Sequence, residues 1–598
     1  MNGRRVQLRA LAAMASTAFR ADPWRAVGVA FLAGAGSVVT TLFALWVKLI
    51  VDGAVERDFA QIAAAAVAIA VTGALSHLML WAAFAMRTVL GERTSVLIDQ
   101  RIIAITAGLP SLEHHERPDY QNELAMLRMQ RERFGQVVGV MVNTFGVSLR
   151  IVATIGLLFR LHPLMVLLPL FAVPSLLAAS RVAKLEQRAM EETVERERVS
   201  DHLFELATTP AAGKELRIFG SGPELVRRHG RLWQEIDRER TALEVRGALL
   251  AALAWAVFAG GFVAAIVFVA NRAVNGDATP GDVLMAVTLA AQVNAQVQGA
   301  VGMVTALMGI LRVVGRYLWL VDYAAEAARP VVDPLPVPDR LQRGIELEHV
   351  TFRYPGVDDV VLEDVSLLLP AGHTVAIVGE NGAGKTTLVK LLCGFYQPSE
   401  GRITVDGSDL ARFEPVEWRE RLAGGFQDFV RFELPAVQAV GVGELAHVDD
   451  VPSVERALVR AGASDVVEEL PSGMQTQLGR SFEGGVDLSG GQWQKLALGR
   501  AMMRPTPLLL SLDEPTANLD AQTEHDLFER YAAGARQAAR AGGAITVLVS
   551  HRFSTVRMAD LIVVLDDGRV VETGSHEELV AKRGLYADLF ELQARAYR

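Results

Sequence analysis

Two stretches of this chain hold the residue types that handle a phosphate chain and a water molecule. Gly379-Glu380-Asn381-Gly382-Ala383-Gly384-Lys385-Thr386 follows directly on an apolar run that reads as a buried strand, Val375–Gly379. Its glycines let successive backbone N–H groups close around phosphate oxygens at the start of the next helix, which carries Thr387. Lys385 would reach the β and γ phosphates, and the Thr386 hydroxyl would ligate Mg²⁺. The apolar run Leu508–Leu512 ends in Asp513-Glu514-Pro515. A short strand closing on two acids suits a magnesium-associated carboxylate, Asp513, beside a general base for water, Glu514. Ser511 interrupts that run, and no chemical consequence is expected of it. ATP and Mg²⁺ are the ligands this pattern predicts.

Leu488-Ser489-Gly490-Gly491-Gln492 stands between these two stretches and opens a helical segment, Trp493–Met503. That pentapeptide is the signature of ABC ATPases, and on it the chain resembles one subunit of an ATP-binding cassette (ABC) exporter. The resemblance implies that Ser489, Gly490, Gly491 and Gln492 bind the nucleotide held by a second subunit, with the helix dipole facing the γ-phosphate. It implies further that Tyr354, in Phe-Arg-Tyr-Pro, stacks on adenine, and that Gln427 contacts Mg²⁺ and water and senses the membrane domain. By the same resemblance Asp520 belongs to the loop that couples two sites, and His551 holds the γ-phosphate. The loop Glu483–Asp487 departs from the commoner exporter version. His115–Tyr120 and Gly213–Gly220 fall where this family places short coupling helices that dock on the ATPase domains.

The elements that must position these residues come in two kinds. The chain has 598 residues, 51% of them hydrophobic, with a mean hydropathy of +0.26; a membrane part joined to a soluble part accounts for both. Six apolar stretches are long enough to cross a bilayer: Trp24–Val51, Ala60–Met86, Val137–Phe159, His162–Val182, Leu249–Ala270 and Val283–Leu311. Arginine and lysine crowd the N-terminal tail and the long loops Arg87–Gln136 and Ala183–Ala248, which places these in the cytosol. The helical spacing of apolar residues in those loops predicts helices that run past the bilayer. Prolines 330, 334, 336 and 338 mark an extended linker. Beyond it strands and helices alternate. The expected architecture is a membrane all-α domain of six transmembrane helices with long cytoplasmic extensions over residues 1–328, a linker over 329–344, and an α/β P-loop ABC nucleotide-binding domain over 345–598.

The single cysteine, Cys393, excludes an intramolecular disulfide, as fits a soluble part in the cytosol. A net charge of −9 gives no reason to expect a nucleic-acid partner, and no removed signal peptide is expected. The phosphate loop, signature and Glu514 are all intact in one chain, so the simplest partner is a second copy of itself, a homodimer with two competent sites. The leading expectation is a multi-pass protein of the cytoplasmic membrane that exports an amphipathic small molecule or peptide by ATP-driven alternating access, with membrane lipid around it. The tone of Lys214–Gly220, Phe426–Leu434 and Gly491–Lys495 resembles bacterial exporters of antibiotics and modified peptides, which points to a secondary metabolite. A lipid flippase or importer on the same scaffold, or an ATP-gated channel or regulator, are the alternatives. Arg150 near mid-bilayer, with Gln292 and Gln296 on one face of the sixth span, is expected to face the cavity; interhelical bonding is the competing role.

Overall fold

In a computed structural model, residues 3–130, 132–209, 212–328, 331–514, 542–550 and 552–596 are described. The chain divides into two compact units. One holds the residues up to Ala107 with Glu123–Asp322, and the other holds Gly108–Asn122 with the residues from Tyr323 onward.

The first unit is helical. Among the described residues six helices are long and apolar enough to cross a membrane: Pro23–Glu56, Phe59–Gly108, Arg133–Leu161, Pro163–Leu185, Gly222–Val274 and Pro280–Ala327. The second, fifth and sixth run for 50, 53 and 48 residues, well beyond the roughly 20 that cross hydrocarbon. The charged halves of the long loops are therefore continuous with the spans. The first span has a break at Leu42, and the fourth opens as a tight 3-10 stretch, Pro163–Ala172, where Pro163 and Pro169 cannot donate backbone hydrogen bonds. Glycine sets one crossing closely: a Cβ at Gly91 would stand 2.5 Å from the Gly135 carbonyl oxygen, so the second and third helices touch backbone to backbone there. Gln296 is buried and donates to Thr154 Oγ1 at 2.7 Å, an amide bond between the sixth and third spans. That is the interhelical role, and it replaces the expected cavity position for Gln296.

The described residues of the second unit form two sheets. Strands β1 (Gly344–Arg353), β2 (Val360–Pro370), β3 (Thr374–Gly379), β4 (Glu400–Val405), β5 (Ser408–Asp409), β6 (Leu422–Gly425), β7 (Leu509–Asp513), β8 (Ile545–Val549), β9 (Leu561–Asp566) and β10 (Arg569–Gly574) follow in chain order. An antiparallel sheet has the order β2-β1-β4-β5, and a mainly parallel one the order β10-β9-β3-β8-β7-β6. β3, β7 and β8 are apolar and nearly wholly buried, as parallel strands covered on both faces must be. β7 and β3 flank β8, so the strand ends at Gly379 and Asp513 emerge along one edge of the sheet. Ser511 is buried with its hydroxyl unpaired.

The segment Gly108–Asn122 packs on this unit. Leu112 donates its amide to the Phe395 carbonyl at 3.3 Å, and Arg419 donates to the carbonyls of Pro110 and Gly394. His114 is 3% exposed, and burial pushes its imidazole down to about 4. The unfolded chain takes up a proton near pH 6.5 that folded His114 refuses, so stability is full above that range and falls toward pH 4. We expect His114→Gln to flatten this decline. The difference between the two chains in denaturant melts at pH 7 and pH 4.5 should reach up to about 3 kcal/mol. Equal pH dependence in both chains would show that His114 takes up its proton in the fold. The other short helix of the long loops, Gly213–Ile218, buries none of its residues, and Ile218 and Phe219 are 79% and 74% exposed.

Candidate nucleotide site

The phosphate loop bridges β3 to the helix Lys385–Leu392, capped by Gly384 at φ +95°. Gly379 must be glycine on two counts, since its φ is +153° and a Cβ would fall 2.1 Å from the Leu565 carbonyl. Ala383 is buried, whereas Asn381 and Gly382 lie exposed at the tip. The Ala383 amide donates to the Glu380 carbonyl at 3.2 Å, tightening the turn. Lys385 is buried at the loop's base, where its Nζ donates to the carbonyls of Gly379 (3.0 Å) and Glu380 (2.7 Å). Burial lowers the pKa of its ammonium, while Glu514 and Asp513 hold it up.

Four side chains from three distant parts of the sequence meet beside this loop. Asp513 Oδ2 accepts from Thr386 Oγ1 at 3.0 Å, and Glu514 Oε2 accepts from Gln427 Nε2 at 2.9 Å. Asp513 Oδ1 is buried without a hydrogen-bond partner, an orphaned carboxylate oxygen beside a hydroxyl. Burial pushes the Asp513 carboxyl up, with the Thr386 hydroxyl and Lys385 pulling against it. A hard cation is what such an oxygen pair lacks. Glu514 leaves the strand at φ +47°, rare for a residue with a side chain, and its amide is tied to the Val549 carbonyl at 3.0 Å.

Tyr354 and Thr387 join on the other flank, hydroxyl to hydroxyl at 2.9 Å. Lys390 and Tyr396 also belong here and escaped sequence reading. A lysine in a helix and a tyrosine after a phenylalanine carry no local signal, and only the fold brings them against Tyr354.

The signature begins the helix Gly490–Ala501. Ser489 is its N-cap in a reciprocal capping box: Ser489 Oγ accepts from the Gln492 amide at 3.2 Å and Gln492 Oε1 accepts from the Ser489 amide at 3.0 Å. Gln492 also donates to Glu469 at 3.1 Å. Leu488 and Trp493 are buried, which pins the turn, while Ser489 and Gly490 face outward. Among the described residues no hydrogen bond joins Ser489 or Gln492 to the phosphate loop. Asp487 of the unusual preceding loop accepts from the Trp493 indole at 3.4 Å and pairs with Arg480 at 2.9 Å. Asp520 and His551 lie outside the described residues.

The membrane unit contains a cavity of about 640 Å³ between the fourth, fifth and sixth spans, lined mostly by alanine, valine and glycine with Trp255, Phe258, Asn294, Gln298 and Glu244. Arg150, Gln292 and Gln296 do not line this cavity. Positions 294 and 298 lie two residues from 292 and 296, about 200° around a helix of 3.6 residues per turn, so the two amide pairs occupy opposite faces. The Nε of Arg150 and the Oε1 of Gln292 are buried without partners.

Residues 362–517 match the ABC transporter family model. The chain is 40% identical over 277 residues to an ATP-dependent lipid A-core flippase of Alkalilimnicola ehrlichii, covering 45% of each chain. It is 35% identical over 328 residues to a protein of the same description from Pseudomonas aeruginosa, covering 53% of this chain and 50% of that one. The matches span about half the length of these relatives. In fold, the chain is similar to a bacterial Atm1-family ABC exporter solved with ATP bound, with a TM-score of 0.78 and 24% identity over 95% of this chain and 99% of that one.

Proposed function

We propose that this chain is an exporter-type ABC half-transporter, one subunit of an ATP-hydrolysing pump for an amphipathic solute; its domain match over residues 362–517 and its fold support that reading. The observation that carries the reading is the meeting of Thr386, Asp513, Gln427 and Glu514 beside a buried Lys385. Backbone amides of residues 379–386 would hold the phosphates, and Lys385 would trade its two loop carbonyls for phosphate oxygens. Asp513, Thr386 and Gln427 would hold Mg²⁺, which when bound neutralises charge on the β- and γ-phosphate oxygens. Gln427 would orient the attacking water through its contact with Glu514, and Glu514 would take the proton. His551 would hold the γ-phosphate.

The outward-facing Ser489 and Gly490 support a second copy as partner. A capped helix start that is exposed and unbonded to its own phosphate loop is available to the nucleotide of another subunit. We infer a homodimer with two equivalent sites, closed by ATP and reopened by hydrolysis. The domain limits 1–328, 329–344 and 345–598 follow as part of this reading.

For the cargo, the cavity supplies an apolar wall with a few polar groups, the lining an amphipathic molecule needs. Two of those groups meet at 3.3 Å, where the Trp255 indole donates to Asn294. The described function of the relatives favours a lipid with a polar head, moved between leaflets, over the secondary metabolite suggested by local motifs. Purified protein in liposomes, assayed for ATP-dependent movement of a headgroup-labelled glycolipid and for stimulation by a panel of amphipathic peptides, decides between them. ATP-dependent conductance without stoichiometric hydrolysis would replace the pump by a channel. Trp255→Ala should raise the concentration giving half-maximal stimulation about tenfold or more while basal hydrolysis stays within about twofold; an unchanged value removes this cavity from the transport path.

A further inference from the structure

Lys390 stands one turn beyond the phosphate loop, on the helix that begins at Lys385. Its Nζ lies 3.5 Å from Glu116 Oε1 and 3.5 Å from the Tyr354 hydroxyl. The same atom is 5.2 Å from the Tyr354 ring centre and 5.8 Å from that of Tyr396. Being nearer the phenol oxygen than the ring centre, the ammonium grips the rim of Tyr354 and leaves most of the ring face clear. The Tyr354 ring is set edge-on against Phe352 at 5.0 Å and Tyr396 at 5.5 Å. The Tyr396 hydroxyl is buried beside Glu116, and burial, followed by that carboxylate, pushes its phenol up. Glu116 thus faces a cation and a buried phenol at once.

Glu116 closes the short helix Glu113–Glu116. Its segment is the one seated on this unit through Leu112 and Pro110, and it runs on at both ends into helices of the membrane unit. Lys390 and Glu116 are 29% and 31% exposed, so as a plain ion pair they contribute under about 1 kcal/mol of stability. What the arrangement supplies is geometry, because one cation is shared by a candidate base platform and by the connection to the membrane spans.

We propose that Lys390 is a positioning residue that ties Tyr354 to Glu116, so that the segment Gly108–Asn122 registers whether a purine base is stacked on Tyr354. The proposal rests on the reading of Tyr354 as the base-stacking residue. A base stacked on the ring fixes its tilt, the fixed phenol rim holds the ammonium, and the held ammonium keeps Glu116 docked. By linkage the effect is reciprocal: whatever loosens Glu116 from Lys390 weakens binding of the base but not of a bare phosphate chain.

That distinction gives the experiment. Hydrogen exchange of peptides covering 108–122 is measured in the full chain carrying Glu514→Gln, with Mg-ATP or with Mg-tripolyphosphate. Both are used at concentrations that saturate the site, as checked by displacement of a fluorescent nucleotide. ATP should slow exchange about three- to tenfold and tripolyphosphate should leave it unchanged. Lys390→Met and Glu116→Gln should each abolish the ATP effect, the double variant should do no more than either, and Lys390→Arg should retain it. Equal protection by both ligands, or full protection in Lys390→Met, overturns the proposal. Tyr354→Ala tests the underlying reading separately: unchanged ATP affinity there removes base stacking, while the Lys390 variants still report whether the tie itself exists.

Discussion

Glu514→Gln should bind ATP with near-normal affinity and lose steady-state turnover by about 10³-fold, within the range that removal of a general base costs. The substitution keeps the volume of the side chain and leaves an amide oxygen that can still accept from Gln427 Nε2, now 2.9 Å from the carboxylate. It also leaves untouched the bond from the residue-514 amide to the Val549 carbonyl, which holds the left-handed turn. The binding surface therefore survives, and what disappears is the oxygen able to take a proton from water. Because hydrolysis is the step that would reopen a closed dimer, the variant should accumulate as an ATP-bound dimer. Phosphate release measured alongside retention of labelled ATP gives both readouts. Turnover within a few-fold of the parent would take Glu514 out of the mechanism and leave its strained backbone unexplained.

The phosphate loop and the acidic strand end were legible because their chemistry dictates local sequence. A backbone that must reach φ +153° at Gly379 beside the Leu565 carbonyl admits one residue type, and that type shows in the sequence. The spans were legible for the same reason, since a bilayer demands length and apolarity over a continuous run. Two features left no such trace. The break at Leu42 falls inside an apolar run whose composition does not change across it. The choice between two amide pairs on the sixth span depends on which face the neighbouring helices cover. Spacing of four residues pairs 292 with 296 and 294 with 298 equally well, and only the Thr154 hydroxyl on another helix decides that Gln296 turns inward. Lys390 is a third case, because its partners Tyr354 and Glu116 are 36 and 274 residues away in sequence. Side chains whose roles are set by contacts that distant cannot be found by reading along the chain.

Lys385→Ala should weaken ATP binding about 10- to 100-fold and abolish turnover, because it deletes the cation that would face the β- and γ-phosphate oxygens; charge-assisted bonds of this kind contribute roughly 1.5–3 kcal/mol. Burial works against the charge at this position, and the neighbouring Glu514 and Asp513 carboxylates sustain it. A phosphate chain adds further negative charge where burial has already removed water, so the ammonium should contribute more to holding ligand than to holding the fold. The structural cost is local: the alanine variant frees the carbonyls of Gly379 and Glu380, which now accept at 3.0 and 2.7 Å. Gly379 is half-buried and Glu380 exposed, so once the lysine is gone water can take the donor's place at the cost of about one hydrogen bond. Among the described residues Lys385 donates only to the carbonyls of Gly379 and Glu380, so the melting transition of the helical unit should be unchanged. Lys385→Arg separates charge from shape: it keeps the charge but carries a planar fork that does not fit a site shaped for a point donor. Binding partly restored with turnover still absent is the expected result. A monodisperse Lys385→Ala protein with parental ATP affinity and rate would show that the loop holds phosphate through its backbone alone.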